Sequence, residues 1–160
     1  GWRFSPCVMM PKLIGTWLNP TWSEVLSFRA QCACRAVSIE LAAEPLRCFV
    51  CHCDYCQRMT GSVGNAVAIF RETDVVSMSD ALELDPEMEK WPGLKRYLCP
   101  KCYSTVHWIN PKAYPGARLV SLGCFDNPSA FELTSTVQNQ YRPNWCSELD
   151  ATNAFDAYPE

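Results

Sequence analysis

The sequence contains no apolar run approaching the roughly 18 residues that a membrane-spanning helix needs. Its first thirty residues also lack the uninterrupted apolar stretch of a secretory leader. An intracellular, cytoplasmic protein with no membrane partner is therefore expected. Positive charge is not in surplus: 14 Lys and Arg stand against 17 Asp and Glu, for a formal net charge of -3 and a pI near 5.4. Such a balance offers no general attraction to phosphate backbones, so nucleic acid is not an expected partner. Phosphate-binding loops, dinucleotide fingerprints and nucleophile elbows are missing, which leaves those chemistries without residues to carry them. Internal repeats, heptads and low-complexity segments are absent as well.

What the chain has in excess is cysteine, with 11 among 160 residues. A chain of this length and 48% hydrophobic content can bury one core but not two independent ones, so a single domain is expected. Seven cysteines fall into C-x-C or C-x-x-C spacings: Cys32, Cys34, Cys51, Cys53, Cys56, Cys99 and Cys102. Thiols this close are hard to pair with each other as disulfides, whereas they suit a tetrahedral thiophilic ion. A reducing compartment and bound Zn2+ follow as expectations.

Residues 1–24 hold Trp2, Phe4, Trp17 and Trp22 interspersed with Pro6, Pro11 and Pro20, and read as an aromatic, proline-rich arm ahead of a domain over 25–160. From Val25 the pattern becomes short and alternating. Strands are expected around Leu26 and Phe28, around Val37, Ile39 and Leu41, and around Val67 and Ile69. Further strands are expected at Lys95–Leu98, Thr105–Ile109 and Arg118–Leu122. Short helices are expected at Asp54–Met59 and Pro86–Lys90, with a surface-laid tail from Ala151. The fold class is mainly β.

Cys32-Ala33-Cys34 and Cys99-Pro100-Lys101-Cys102 each lie between two expected strands. Two distant knuckles supplying two thiolates apiece make a closed, structural four-cysteine site. Cys51-His52-Cys53-Asp54-Tyr55-Cys56 instead offers three thiols, which leaves zinc a fourth position for water or a substrate and marks Cys51, Cys53 and Cys56 as the catalytic candidates. His52 is a weaker candidate ligand, because neighbours on a strand point to opposite faces.

With these residues in view, the chain resembles the glutathione-dependent formaldehyde-activating enzyme (GFA) and centromere protein V family. The likeness runs through Gln31-Cys32-Ala33-Cys34-Arg35-Ala36-Val37, Glu44-Pro45-Leu46, Cys51 to Ser62, and Tyr97-Leu98-Cys99-Pro100-Lys101-Cys102. It continues more weakly through Ser121-Leu122-Gly123, Asp126-Asn127-Pro128 and Pro143-Asn144-Trp145. The resemblance implies a zinc-stabilised β-tent of small antiparallel sheets. It also implies a structural zinc on Cys32, Cys34, Cys99 and Cys102, and a catalytic zinc on Cys51, Cys53 and Cys56. A carbon–sulfur lyase acting on a small molecule such as a glutathione adduct or carbonyl compound is the implied activity, with glutathione as a co-substrate. Alternatives are a metabolite-tailoring enzyme of the same fold that does not use glutathione, a noncatalytic zinc-stabilised interaction module, and a redox or metal-buffering role. A homo-oligomer is compatible with each.

The chain departs from the family pattern where Arg35 and Tyr103 replace the glycines that usually follow the two knuckles. Glycine often serves positive φ there. The Trp-rich arm is a further departure and could line a pocket for a larger, flatter substrate. Cys7, Cys48, Cys124 and Cys146 are expected to be packing residues, with Cys124 at a turn where a site wall could lie. His107 reads as a strand-surface histidine. Arg58 and Ser62 read equally as substrate contacts and as solvated or helix-capping residues.

Overall fold

The computed structural model describes residues 27–80, 82–84 and 93–149. The expected arm at 1–24, Leu26, Cys7, the helix at Pro86–Lys90 and the tail from Ala151 lie outside the described residues. The described part is mainly β. Its strands are β1 (Phe28–Gln31), β2 (Ser38–Leu41), β3 (Arg47–Cys51), β4 (Asn65–Arg71), β5 (Val75–Met78), β6 (Glu83–Leu84), β7 (Lys95–Leu98), β8 (Thr105–Ile109), β9 (Ala117–Ser121) and β10 (Ser135–Val137). The α-helix α1 (Asp54–Thr60) follows β3.

These strands form a three-stranded sheet in the order β1-β2-β5 and a seven-stranded sheet in the order β10-β3-β4-β9-β8-β7-β6. The pairings are antiparallel except that β10 runs parallel to β3. The central strand β4 explains why simple alternation understates the sheet. Val67, Ala68, Ile69 and Phe70 are all buried, because both faces of the large sheet are covered.

Ala68 and Phe70 face a core shared with Ala30, Ile39 and Leu41 of the small sheet, together with Cys48, Val120 and Phe125. Val67 and Ile69 face a second cluster with Phe49, Trp108, Ala117 and Leu119. Each large side chain so buried contributes roughly 2 kcal/mol. Phe28, Phe70, Phe125 and Phe131 knit the first core, with centroids 4.5 Å apart for Phe125–Phe131 and 6.1 Å for Phe28–Phe70. An isolated bridge from Ala30 to Phe125 ties the small sheet to the segment after β9.

The expected strands are found within a residue or two of their positions. Arg118–Leu122 is shifted back by one residue, since Leu122–Cys124 turns into a 3-10 segment. The strands β3, β5, β6 and β10 were not expected. Charged, cysteine-rich or very short segments such as Arg47-Cys48-Phe49-Val50-Cys51 become strands here through pairing with neighbours.

His107 corrects the surface expectation. It is fully buried, because β8 is interior to the large sheet and the face carrying His107 is covered. Arg118 Nη1 donates to His107 Nδ1 at 2.9 Å. Arginine only donates, so the imidazole proton resides on Nε2. Glu72 holds the Arg118 guanidinium in two contacts, one at 2.9 Å from Nε to Oε2. The Tyr97 ring lies 4.6 Å from the imidazole. Burial, reinforced by the Arg118 cation, lowers the His107 pKa from 6.5 to about 3.

Between those values the unfolded chain binds a proton that the folded chain refuses. The resulting contribution is intact above pH 6.5 and declines as pH falls toward 3. In His107→Gln, the loss of unfolding free energy between pH 6.5 and pH 5 should shrink by about 2 kcal/mol relative to the parent. Urea titrations of both proteins at the two pH values measure that difference. An unchanged difference would contradict a neutral buried imidazole.

Candidate metal centres

The first centre forms where two hairpin turns meet. Cys32 and Cys34 occupy the β1–β2 turn, and Cys99 and Cys102 the β7–β8 turn. Their four sulfurs all lie within 4.8 Å of one another, with Cys32–Cys34 at 3.5 Å and Cys34–Cys99 at 3.7 Å. Four sulfurs about 2.3 Å from a shared ion stand about 3.8 Å apart, so this donor set fits tetrahedral zinc.

Both turns use the same local devices. Arg35 N–H donates to Cys32 O at 2.9 Å and Tyr103 N–H to Cys99 O at 2.9 Å. Backbone N–H groups also reach sulfur, Val37 to Cys32 and Lys101 to Cys99, each at 3.4 Å. Arg35 and Tyr103 have φ of 60° and 59°. The two departures from glycine therefore occupy the left-handed conformation that glycine adopts without strain, and both side chains are exposed.

Ser104, which the sequence did not single out, joins the turns. Its Oγ accepts from Ala33 N–H at 3.2 Å and is hydrogen-bonded to Cys102 Sγ at 3.2 Å. That hydroxyl, followed by the Ser104 and Cys34 backbone, holds the Cys102 thiol down at about 5. Cys34 goes the other way. The Ala36 backbone favours its thiolate, but the sulfurs of Cys32 and Cys102 outweigh this and push it up to about 11.

The second centre forms where strand passes into helix. Cys51 ends β3, Cys53 is the N-cap of α1, and Cys56 lies buried in its first turn. Cys53 Sγ accepts from Cys56 N–H at 3.3 Å, so the capping side chain is itself one of the three thiols. All three sulfurs lie within 4.8 Å of one another, and no fourth Cys, His, Asp or Glu atom joins them among the described residues. Hydrogen bonding from the Cys56 thiol lowers Cys51 to about 6 despite its burial, and raises Cys56 in turn. Cys53 is raised, chiefly by burial.

His52 is buried, and its Nδ1 donates to the Val63 carbonyl at 2.7 Å, so that nitrogen offers no lone pair to a metal. Its carbonyl accepts from Gln57 Nε2 at 2.7 Å, and the same amide reaches Tyr141 O at 2.8 Å. Gly64 closes against this corner. A Cβ there would sit 2.5 Å from Cys51 O and 3.1 Å from His52 Nδ1.

Arg58 is exposed and paired with Asp54 at 2.9 Å, and Ser62 is exposed, which favours the solvated reading for both. Cys48 and Cys146 are buried, as packing residues are. Cys124 does form part of a wall, in a cleft of about 340 Å3 with Gln31, Cys32, Arg35, Ser104 and Asp126. That cleft adjoins the four-cysteine centre rather than the three-cysteine one.

Asn65 and Tyr114 were not legible as neighbours of the second centre. Asn65 stands opposite Cys51 on the β3–β4 ladder. Tyr114 stacks on Phe49 at 6.3 Å, and its phenol is pushed up chiefly by burial, which outweighs the opposing Arg47 cation, with a lesser upward push from the charge of Cys51. The one signal for Asn65 is a strand-poor residue at the head of an otherwise apolar strand.

A mainly β, two-sheet protein with two thiol clusters that could hold zinc is thus defined by fold and site. The sequence matches the family of the glutathione-dependent formaldehyde-activating enzyme over residues 27–143. The chain belongs to that GFA family. It is also similar in fold to a crystal structure of a Rhodobacter sphaeroides protein, with a TM-score of 0.51 and 22% identity, covering 68% of this chain and 98% of that one. No curated protein matches the sequence.

Replacing Arg35 or Tyr103 by Gly should raise stability by about 0.5–1 kcal/mol each, since relief of the left-handed strain exceeds the entropy glycine adds to the unfolded chain. Denaturation of the metal-loaded variants reads this, with metal content expected to stay unchanged. Gly64→Ala should cost about 2 kcal/mol and lower the zinc content by one equivalent per chain, because the added carbon displaces the Cys51 carbonyl. Elemental analysis of that variant checks the second effect.

Proposed function

We propose that this protein is a zinc-dependent enzyme of the carbon–sulfur lyase type, acting on a small glutathione adduct or carbonyl compound at the Cys51–Cys53–Cys56 centre. Cys32, Cys34, Cys99 and Cys102 hold a structural zinc in this reading. The observation that carries it is the difference between the two clusters. One gathers four thiols from two turns, while the other gathers three and has the ring of the adjacent His52 tied to a backbone carbonyl.

Zinc bound by three thiolates supplies Lewis acidity to whatever occupies its remaining position. The protein's own residues do the rest. Hydrogen bonds from Cys56 and Cys53 favour the thiolate of Cys51. Cys53 and Cys56 are fixed by the helix start, so their sulfurs are held before a ligand arrives. Phe49, Val67 and Tyr114 form the apolar face against which Cys51 packs. Membership of the GFA family supports glutathione and formaldehyde as the first substrates to examine. No helix among the described residues is long and apolar enough to cross a membrane.

Zinc per chain, measured with formation of the glutathione–formaldehyde adduct followed by NMR, tests the reading. The parent should hold near two zincs and Cys53→Ser near one, with kcat/KM in the variant lower by at least on the order of a hundredfold. Equal zinc content in both proteins would count against the second centre. Equal rates with the expected zinc loss would count against its catalytic role.

A further inference from the structure

Asn65 is 6% exposed, and its Nδ2 meets no hydrogen-bond acceptor among the described residues. A buried amide N–H left unpaired is costly, and native proteins retain few of them without a use. Asn65 pairs directly with Cys51 across β3 and β4. Residues so paired point to the same face of the sheet, with Cβ atoms about 5 Å apart. The amide therefore shares its side of the sheet with the Cys51 sulfur and with Val67, two residues further along β4. Phe49 and Tyr114 bound the same face. Asn65 is thus a polar donor set into an apolar wall beside the three-cysteine cluster. Packing gives no reason for it, since the strand it heads continues Ala-Val-Ala-Ile-Phe.

We propose that Asn65 Nδ2–H is the hydrogen-bond donor that holds an oxygen of the ligand seated at the Cys51–Cys53–Cys56 centre. The ligand class is then a small molecule carrying a carbonyl or hydroxyl oxygen close to the atom that meets the metal. This rests on the reading of that centre as one that takes a ligand. A primary amide suits the task because it donates at every pH and carries no charge to repel thiolates. In a desolvated wall its hydrogen bond discriminates strongly, since a ligand without the oxygen leaves the donor unpaired. Asn65 is a positioning and specificity residue in this assignment.

The test uses the full chain loaded with Co2+, with the difference spectrum against Cys53→Ser isolating the second centre. Two probes of similar size are titrated, 2-mercaptoethanol and ethanethiol, which share a thiol and differ in one hydroxyl. The parent should bind 2-mercaptoethanol about tenfold more tightly. Asn65→Leu, which removes the donor at similar volume, should bring the two affinities within about twofold of each other. Asn65→Ala serves the same comparison if the Leu variant does not fold. A parent without preference, or a preference that survives in the variant, overturns the assignment of Asn65 while the ligand-binding centre stands. If neither thiol alters the spectrum, the centre takes no such ligand, and both the functional reading and this assignment fall.

Discussion

Sulfur donors that would repel one another as thiolates must be brought together from distant parts of the chain, and this constraint organises the molecule. Cys32 and Cys34 belong to the turn of the small sheet, whereas Cys99 and Cys102 belong to a turn of the large one, where Cys99 meets Cys34 across 65 residues of sequence. The cluster therefore clips the two sheets together at one end. The aromatic core around Phe28, Phe70 and Phe125 fills the space between them further along. Each turn prepares its sulfurs with backbone N–H groups aimed at Sγ and with a residue in the left-handed conformation just after the second cysteine. That conformation lets the chain double back while both thiols face inward.

The three-cysteine cluster is built by another route. It needs one strand end and one helix start in succession, and the helix cap is also a prospective ligand. Around it the structure removes alternatives. His52 is committed to Val63, Gln57 spans two backbone carbonyls, and Gly64 is the residue that fits against the Cys51 carbonyl. Rigid neighbours of this kind give a centre with a set shape rather than a loose group of thiols. The Glu72–Arg118–His107 network, buried at Arg118 and His107 and exposed at Glu72, is separate in character. It joins β8 and β9 to the segment after β4, and its histidine is kept neutral by burial and by the adjacent cation.

Cysteine spacing, turn residues and alternating apolar positions are local properties, and they determined much by themselves. C-x-C and C-x-x-C spacings identified the seven thiols, and a short helix was expected at Asp54–Met59 after the middle cluster, where the structure has one capped by Cys53 and ended at Gly61. The mainly β class followed from short apolar alternations, and the unusual Arg35 and Tyr103 marked positions that the backbone indeed places at positive φ. Tertiary structure alone decided the rest. The strand β3 exists because β4 and β10 pair with it. His107 is buried because its strand lies inside the sheet, although its neighbours in sequence read as a surface pattern. Ser104 joins the two turns, and Asn65 comes to face Cys51, through pairings between residues far apart or in opposed strands. Those contacts depend on register and burial, which arise only when the sheets assemble, so no short window of sequence contains them.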